Sequence, residues 1–338
     1  MKKRLLVISG LLLVLIASGL WVVVWAPNLF EGDRFIIVSK GESFASVVDS
    51  LDHAGIIWSR TTFQLAGRIL DLTTKMQIGK YRFRSGMSNH EILEDLRGGN
   101  TIEMISVTIP EGLRATRQAH IFVRQLGIDS TRFMELVYDQ SFCHELGIEA
   151  PSLEGYLMPN TYKVYWQSDE KDLLKRMVGQ FWTVFDSSMQ LRSERRGMSI
   201  SEVLTIASIV EGETHIDSER AVIAGVYYNR IHRRMPLQAD PTIQYLLQEG
   251  PRPLHRSDLQ IPSPYNTYLH YGLPPGPVNN PGRAAIVAAL YPVRHKFLYF
   301  VANGAGGHTF SRSYDQHLRA IRQYLKRREE QRASREEQ

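Results

Sequence analysis

Ser199-Ile200-Ser201-Glu202-Val203-Leu204-Thr205-Ile206-Ala207-Ser208-Ile209-Val210-Glu211-Gly212-Glu213-Thr214 is the stretch on which the reading of this chain turns. Ser199 and Glu202 make an S-x-x-E capping box, the signature of a helix start. Val203, Ala207 and Val210, with Ile206 beside them, recur at helical spacing and form a core-facing stripe. Glu211 follows Ala207 by four residues and Val210 by one, so it is expected to point toward the buried side. Gly212 offers the helix a place to loosen or stop. Burial and the negative end of the helix dipole both favour a neutral acid, which predicts a raised pKa at Glu211. An acid held protonated near neutral pH is what general-acid catalysis requires. Glu213, two residues on, cannot share that face and reads as a supporting hydrogen-bonding group. Taken alone, the segment also fits an ordinary Glu at a fraying helix end.

The residues that follow favour chemistry. Asp217 is a good N-cap, and Ala221 to Ile231 reads as a second helix carrying Tyr227-Tyr228-Asn229-Arg230. Then come Leu237-Gln238-Ala239-Asp240-Pro241-Thr242-Ile243-Gln244-Tyr245, Ser263-Pro264-Tyr265-Asn266-Thr267-Tyr268 and Gly272-Leu273-Pro274-Pro275-Gly276-Pro277. Eight of the fifteen prolines lie between Pro251 and Pro281, so these loops are stiff. Tyr, Asn and Gln supply hydrogen bonds without net charge. Stiff loops of that kind beside a buried acid describe a groove for a neutral, hydroxyl-rich ligand such as a sugar chain. The alternative is a Pro-rich excursion stapled to the surface.

On the N-terminal side, Leu5 to Trp25 is an uncharged, mostly apolar run, and about 20 such residues span a bilayer as a helix. Lys2, Lys3 and Arg4 precede it, which places that end in the cytoplasm and everything after Pro27 outside. A cleaved signal peptide would have a shorter apolar core ending in small residues, whereas this run ends Trp-Val-Val-Val-Trp-Ala-Pro. The single Cys143 rules out an internal disulfide scaffold and a multi-cysteine zinc site, and reads as a buried filler. The net charge of +5 is spread along the chain, and no basic patch with interleaved aromatics marks a nucleic-acid partner.

Before the central helix, a strand-turn-helix unit recurs. Phe35-Ile36-Ile37-Val38 leads through Gly41 to a helix at 43–55, Lys80-Tyr81-Arg82-Phe83 through Gly86 to one at 88–98, and Val107-Thr108-Ile109 through Gly112 to one at 115–127. With a further helix near Thr61 to Leu70, the first part reads β-α-α-β, a small α+β domain. That order resembles a LysM-like module, which implies binding to N-acetylglucosamine-containing glycan; a spacer above the membrane fits equally. A charged helical stretch at 168–195 leads into the central helix. Ser313 and Gln316 suggest another capping box, ahead of a Leu318, Ile321 and Leu325 stripe. The expected architecture is α+β: a tip at 1–4, a transmembrane helix at 5–25, a LysM-like module at 33–104, a mixed α+β catalytic domain at 105–325 and a polar tail at 326–338.

Several motifs in order resemble the endolytic murein transglycosylases (the MltG or YceG-like family). They are Leu153-Glu154-Gly155-Tyr156-Leu157-Met158-Pro159-Asn160-Thr161-Tyr162, Ala207 to Thr214, Asn229-Arg230, Leu237 to Tyr245, Tyr265 to Tyr268, Gly272 to Gly276 and Gly306-Gly307-His308-Thr309-Phe310. The resemblance runs from about residue 30 to 325. It implies cleavage of the MurNAc–GlcNAc β-1,4 bond within nascent peptidoglycan strands, ending their growth, without metal or cofactor. The family's catalytic Glu carries over to Glu211, the first acid of the Glu-Gly-Glu-Thr run. That residue would protonate the bridging oxygen and then take the proton of the MurNAc C6 hydroxyl, leaving a 1,6-anhydro end. Substrate-binding or supporting residues are expected at Glu154, Tyr156, Glu213, Asn229, Arg230, Gln238, Asp240, Thr242, Tyr265, Asn266 and Tyr268. Glycan strands, the membrane and cell-wall synthases are the expected partners. His308 either touches substrate or caps backbone.

Three other readings remain open at this level. A hydrolytic muramidase would use Asp240 or Glu154 as a second carboxylate. A metallohydrolase is hinted at by Glu211 and His215, but H-E-x-x-H is missing. A membrane-anchored glycan-binding scaffold would need no acid at all.

Overall fold

Serines start the helices of the N-terminal part. Ser43, Ser59 and Ser88 each sit in extended backbone and accept a hydrogen bond from the N–H three residues on, and Glu91 completes a capping box with Ser88. The structure, a computed structural model, describes residues 2–74, 76–247 and 250–336. Met1 of the expected tip and residues 337–338 of the expected tail lie outside the described residues.

The chain divides into two compact units. The first comprises Met1–Val107 with Phe122–Ile128 and Tyr162–Asp169; the second comprises Thr108–Ile121, Asp129–Thr161 and Glu170–Gln338. Its elements begin with α1 (Lys2–Trp25), β1 (Arg34–Val38), α2 (Phe44–His53), α3 (Arg60–Ile69), β2 (Gly79–Phe83), α4 (Asn89–Gly98) and β3 (Ile102–Glu103). β2 is the middle strand of an antiparallel sheet, with Ile36 opposite Tyr81 on one side and Ile102 opposite Tyr81 on the other. Val47, Val48, Leu51, Phe63, Tyr81, Phe83, Ile92 and Leu93 fill the core beneath it. Tyr81 keeps its hydroxyl satisfied at the carbonyls of Gln77 and Leu96. The expected β-α-α-β order is present and is extended by α4 and a third strand.

α1 holds the apolar run. Leu6–Trp25 is long and apolar enough to cross a membrane, and its side chains from Leu6 to Ile16 are exposed, an arrangement that fits a membrane anchor. Its last turn joins the first unit: Trp25 stacks on His90 at 4.3 Å and the Asn89 amide donates to the Val23 carbonyl at 2.8 Å.

The chain continues through β4 (Ile105–Thr108), α5 (Ala115–Leu126), α6 (Ser130–Val137), α7 (Gln140–Glu145), β5 (Thr161–Val164), α8 (Glu170–Val184) and α9 (Ser187–Arg195). It then forms α10 (Ile200–Glu213), α11 (Asp217–His232), α12 (Asp240–Leu246), α13 (Arg283–Leu290), β6 (Tyr299–Ala302), β7 (His308–Ser311) and α14 (Tyr314–Glu336). α10 is the centre of the second unit and packs on α11, α12 and α13. Nine consecutive residues, Val203 to Glu211, are buried. The one-sided stripe expected from the sequence is therefore a helix buried all round, because its neighbours, α9 included, enclose it. Gly212 does not stop it: the helix runs through Glu213 and ends at Thr214. α11 likewise begins earlier than expected, with Asp217 inside its first turn. β6 and β7 pair antiparallel across the glycine-rich turn and rest against α14, which carries the expected polar tail as helix to Glu336.

Candidate active site

The capping box fixes the start of α10: Ser199 Oγ accepts from the Glu202 N–H at 3.2 Å, and Glu202 accepts from the Ser199 N–H at 2.8 Å. The Pro-rich segment after Gly272 lies along the other end. Four prolines remove N–H groups from residues 273–282, and three of the donors that remain engage α10. Val278 N–H donates to Ser208 Oγ at 3.0 Å, the Asn279 amide to the Ser208 carbonyl at 2.8 Å, and Gly282 N–H to Glu211 Oε2 at 2.9 Å. Gly212 permits a close approach on a further side, since a Cβ there would lie 2.7 Å from Pro241 at the start of α12.

Glu211 is 2 % exposed, as its place in the helix predicts, but it is not a lone acid against an apolar wall. Arg220, itself buried, donates through Nη1 to Glu211 Oε1 at 2.8 Å. Arg220 also binds Asp217 Oδ1 at 3.1 Å, with Glu111 3.9 Å away. A guanidinium and a backbone N–H thus meet both carboxylate oxygens of Glu211. Among the described residues, Glu211 and His215 belong to no cluster of His, Cys, Asp and Glu that could hold a metal ion. Desolvation and the neighbouring Glu211 charge push the Glu111 carboxyl up from its ordinary value.

Glu213 faces elsewhere, as its two-residue offset requires. It borders a cavity of about 260 Å³ lined also by Tyr227, Arg230, Gln238, Asp240, Tyr268, Phe300 and His317. The Tyr227 hydroxyl donates to Glu213 Oε1 at 2.6 Å. Desolvation, reinforced by the Asp240 charge, pushes the Glu213 carboxyl up to about 7, against the opposing pull of Tyr227 and Arg230. The Tyr268 hydroxyl donates to Asp240 Oδ1 at 2.5 Å. Burial raises both tyrosines and the acid beside each adds to it, so each hydroxyl stays a donor. Burial, then the charge of Arg230, pushes His317 down toward neutral imidazole. The cavity thus holds a half-buried carboxyl able to exist in either protonation state near neutrality, beside a second carboxylate and an amide. Such a group can act as acid and base in turn.

The model of the YceG-like family matches residues 36–323. The chain belongs to the YceG-like family. A Bacillus subtilis (strain 168) protein named endolytic murein transglycosylase is 30% identical over 305 residues, covering 86% of this chain and 84% of that one. A Streptococcus pneumoniae R6 protein of the same name is 27% identical over 322 residues, covering 85% of this chain and 58% of that longer one. A crystal structure of a YceG-like protein from Listeria monocytogenes superposes with a TM-score of 0.62 at 28% identity, covering 86% of this chain and 99% of that one.

In this YceG-like chain, five residues expected from the sequence meet at one cavity: Glu213, Arg230, Gln238, Asp240 and Tyr268. Arg230 is committed to backbone, donating to the Leu298 carbonyl at 2.7 Å and the Leu237 carbonyl at 2.6 Å. Others serve as staples. Asn229 donates to the carbonyls of His295 and Phe297, Asn266 to those of Leu259 and Ile261, and Thr242 bonds Ala239 and Thr267. Tyr156, 3 % exposed, packs edge-on against Phe181 in the core, and Tyr265 packs on Tyr245 at 4.8 Å. Glu154 is buried, accepts from the Ala115 N–H at the start of α5 and from the Asn280 amide, and is pushed up to about 7 by desolvation. His308 binds Glu219 at 2.6 Å and pins the β6–β7 turn to α11. Buried Cys143 is pushed up to about 11 by desolvation, which disfavours its thiolate. Tyr227, Arg220, Glu111 and His317 were not among the expected site residues. Tyr227 could have been found, because α11 brings one hydroxyl of the Tyr227-Tyr228 pair toward the end of α10.

Proposed function

We propose that this YceG-like protein is a lytic transglycosylase that cleaves the MurNAc–GlcNAc β-1,4 bond of peptidoglycan, with Glu213 rather than Glu211 as its acid and base. The names carried by its relatives support the substrate class. One observation carries the choice of residue: Glu213 borders a cavity with a carboxyl near 7, whereas Glu211 is consumed by Arg220 and Gly282. The family resemblance assigns the role to Glu211, the first acid of the Glu-Gly-Glu-Thr run; the surroundings of the two acids favour Glu213 instead.

The step balances without water. Protonated Glu213 gives its proton to the bridging oxygen as the C1–O4 bond breaks, and GlcNAc leaves with a free 4-hydroxyl. Glu213, now a carboxylate, takes the proton of the MurNAc C6 hydroxyl, and O6 closes on C1 to form the 1,6-anhydro ring. Tyr227 holds the carboxyl in place, and the charge of Asp240 stabilises the oxocarbenium-like cation between the two events. Gln238 and Tyr268 offer hydrogen bonds to hydroxyl and N-acetyl groups. α1 anchors the chain with its basic end in the cytoplasm, so the reaction occurs outside the membrane, on strands still being made, beside the synthases that make them. The first unit either grips glycan in the manner of a LysM-like module or sets the height of the site.

A muramidase reading has one observation in its favour, that Asp240 shares the cavity with Glu213 and could activate water. Mass spectrometry of products from uncrosslinked glycan separates the two. Transglycosylation predicts new ends lighter by one water than a muramidase yields, and products that have gained water would overturn it.

A further inference from the structure

A second groove in the same unit, of about 620 Å³, shares no lining residue with the Glu213 cavity. Arg192, Arg195 and Arg196 from the end of α9 line it, and Arg294 joins them from almost a hundred residues later in the chain. The one acid in its wall is Glu202, whose carboxylate already accepts from the Ser199 N–H and hydroxyl. Among the described residues, none of the four arginines has a carboxylate within ion-pair distance. Arg195 and Arg294 are exposed, whereas the inner pair is held on aromatic rings. Arg192 lies 4.9 Å over Tyr291 and donates through Nε to the Leu290 carbonyl at 3.1 Å; Arg196 lies 4.2 Å over Tyr228. The Arg196 Nε is buried and has no hydrogen-bond partner. His232 and the apolar Leu273, Pro292 and Val293 complete the wall.

Four like charges around a single carboxylate that is already engaged repel one another, and an orphaned buried N–H costs about 1–3 kcal/mol, so a bound anion would offset both. A single carboxylate would cancel one charge of four. A phosphoryl group carries about −1.5 to −2 and accepts the planar double hydrogen bonds that guanidinium offers. The groove volume falls within the usual range for small-molecule sites, and its apolar flank suits an organic body attached to the phosphate. We propose that this groove binds an organic phosphate or diphosphate, its phosphoryl groups on Arg192, Arg195, Arg196 and Arg294.

Two sources share that chemistry, a lipid headgroup and a soluble phosphate ester. Isothermal titration of the detergent-solubilised full-length protein at fixed ionic strength distinguishes them. The probes are inorganic diphosphate and a short-chain phosphatidylglycerol below its micelle concentration, with short-chain phosphatidylcholine and succinate as controls. The expected result is saturable 1:1 binding of one or both anionic phosphate probes, weakened at least 10-fold in an Arg195→Gln/Arg294→Gln variant whose melting temperature is unchanged. Binding of diphosphate identifies a site open to soluble phosphates; binding of phosphatidylglycerol alone identifies a lipid headgroup site. The proposal fails if neither probe binds more tightly than succinate, if phosphatidylcholine matches phosphatidylglycerol, or if the double substitution leaves affinity intact.

Discussion

Replacing Tyr227 by Phe removes one hydroxyl and tests the electrostatics assigned to Glu213. That hydroxyl donates at 2.6 Å to Glu213 Oε1 and thereby favours the charged carboxylate. Its loss leaves desolvation and the Asp240 charge less opposed, so the carboxyl must rise above its present value of about 7. A hydrogen bond to a charged group is worth about 1.5–3 kcal/mol, and one pKa unit corresponds to ~1.4 kcal/mol. The partial exposure of Glu213 puts the effect at the low end, about one unit. Because the first step needs the protonated acid, kcat/KM falls as pH rises through this pKa. The alkaline limb of the profile should therefore move from near 7 to ~8 in Tyr227→Phe, with activity on the acid plateau reduced only a few-fold. The assay is initial-rate cleavage of soluble glycan strands across the pH range. An alkaline limb that stays in place, or moves toward acid, refutes the reasoning.

Other substitutions separate structure from chemistry. Arg220→Met strands the buried Glu211 carboxylate and should cost about 3–5 kcal/mol in denaturant unfolding; a loss below about 1 would contradict the buried pair. Asn280→Ala orphans the Gly155 and Leu157 N–H groups and a partner of Glu154, for an expected loss of at least ~3 kcal/mol on the same measurement. Gly212→Ala gains about 1 kcal/mol of helix propensity against ~1–3 from crowding Pro241, so stability should fall by no more than ~2 kcal/mol. The shift of α12, which carries Asp240, should nonetheless lower kcat at least 10-fold; an unchanged kcat would show that this close approach does not set the cavity.

Local signals were legible in the sequence wherever a short pattern determines its own geometry. The Ser199 and Glu202 box, the strand-turn-helix order of the first unit and the apolar run of α1 all formed as read. The surroundings of each acid were not legible. Helical periodicity shows that Glu211 turns inward, but not that Arg220 and the Gly282 N–H are waiting there, since those partners come from other elements. Residue type was ambiguous in the same way. Asn229, Asn266 and Thr242 are apt ligands for sugar hydroxyls, and equally apt staples for the backbone of Pro-rich loops, which is how the fold uses them. The basic groove has no signature in the sequence because its fourth arginine, Arg294, becomes a neighbour of Arg192 only once α13 packs against α9.

The decisive comparison is cleavage of purified, uncrosslinked glycan strands by the wild-type, Glu213→Gln and Glu211→Gln proteins, each checked for its melting temperature. Glu213→Gln should melt like the wild type and release no anhydro ends above background, while Glu211→Gln should melt earlier yet cleave wherever it remains folded. Wild-type cleavage by Glu213→Gln, or a fully stable Glu211→Gln protein with none, would contradict the account.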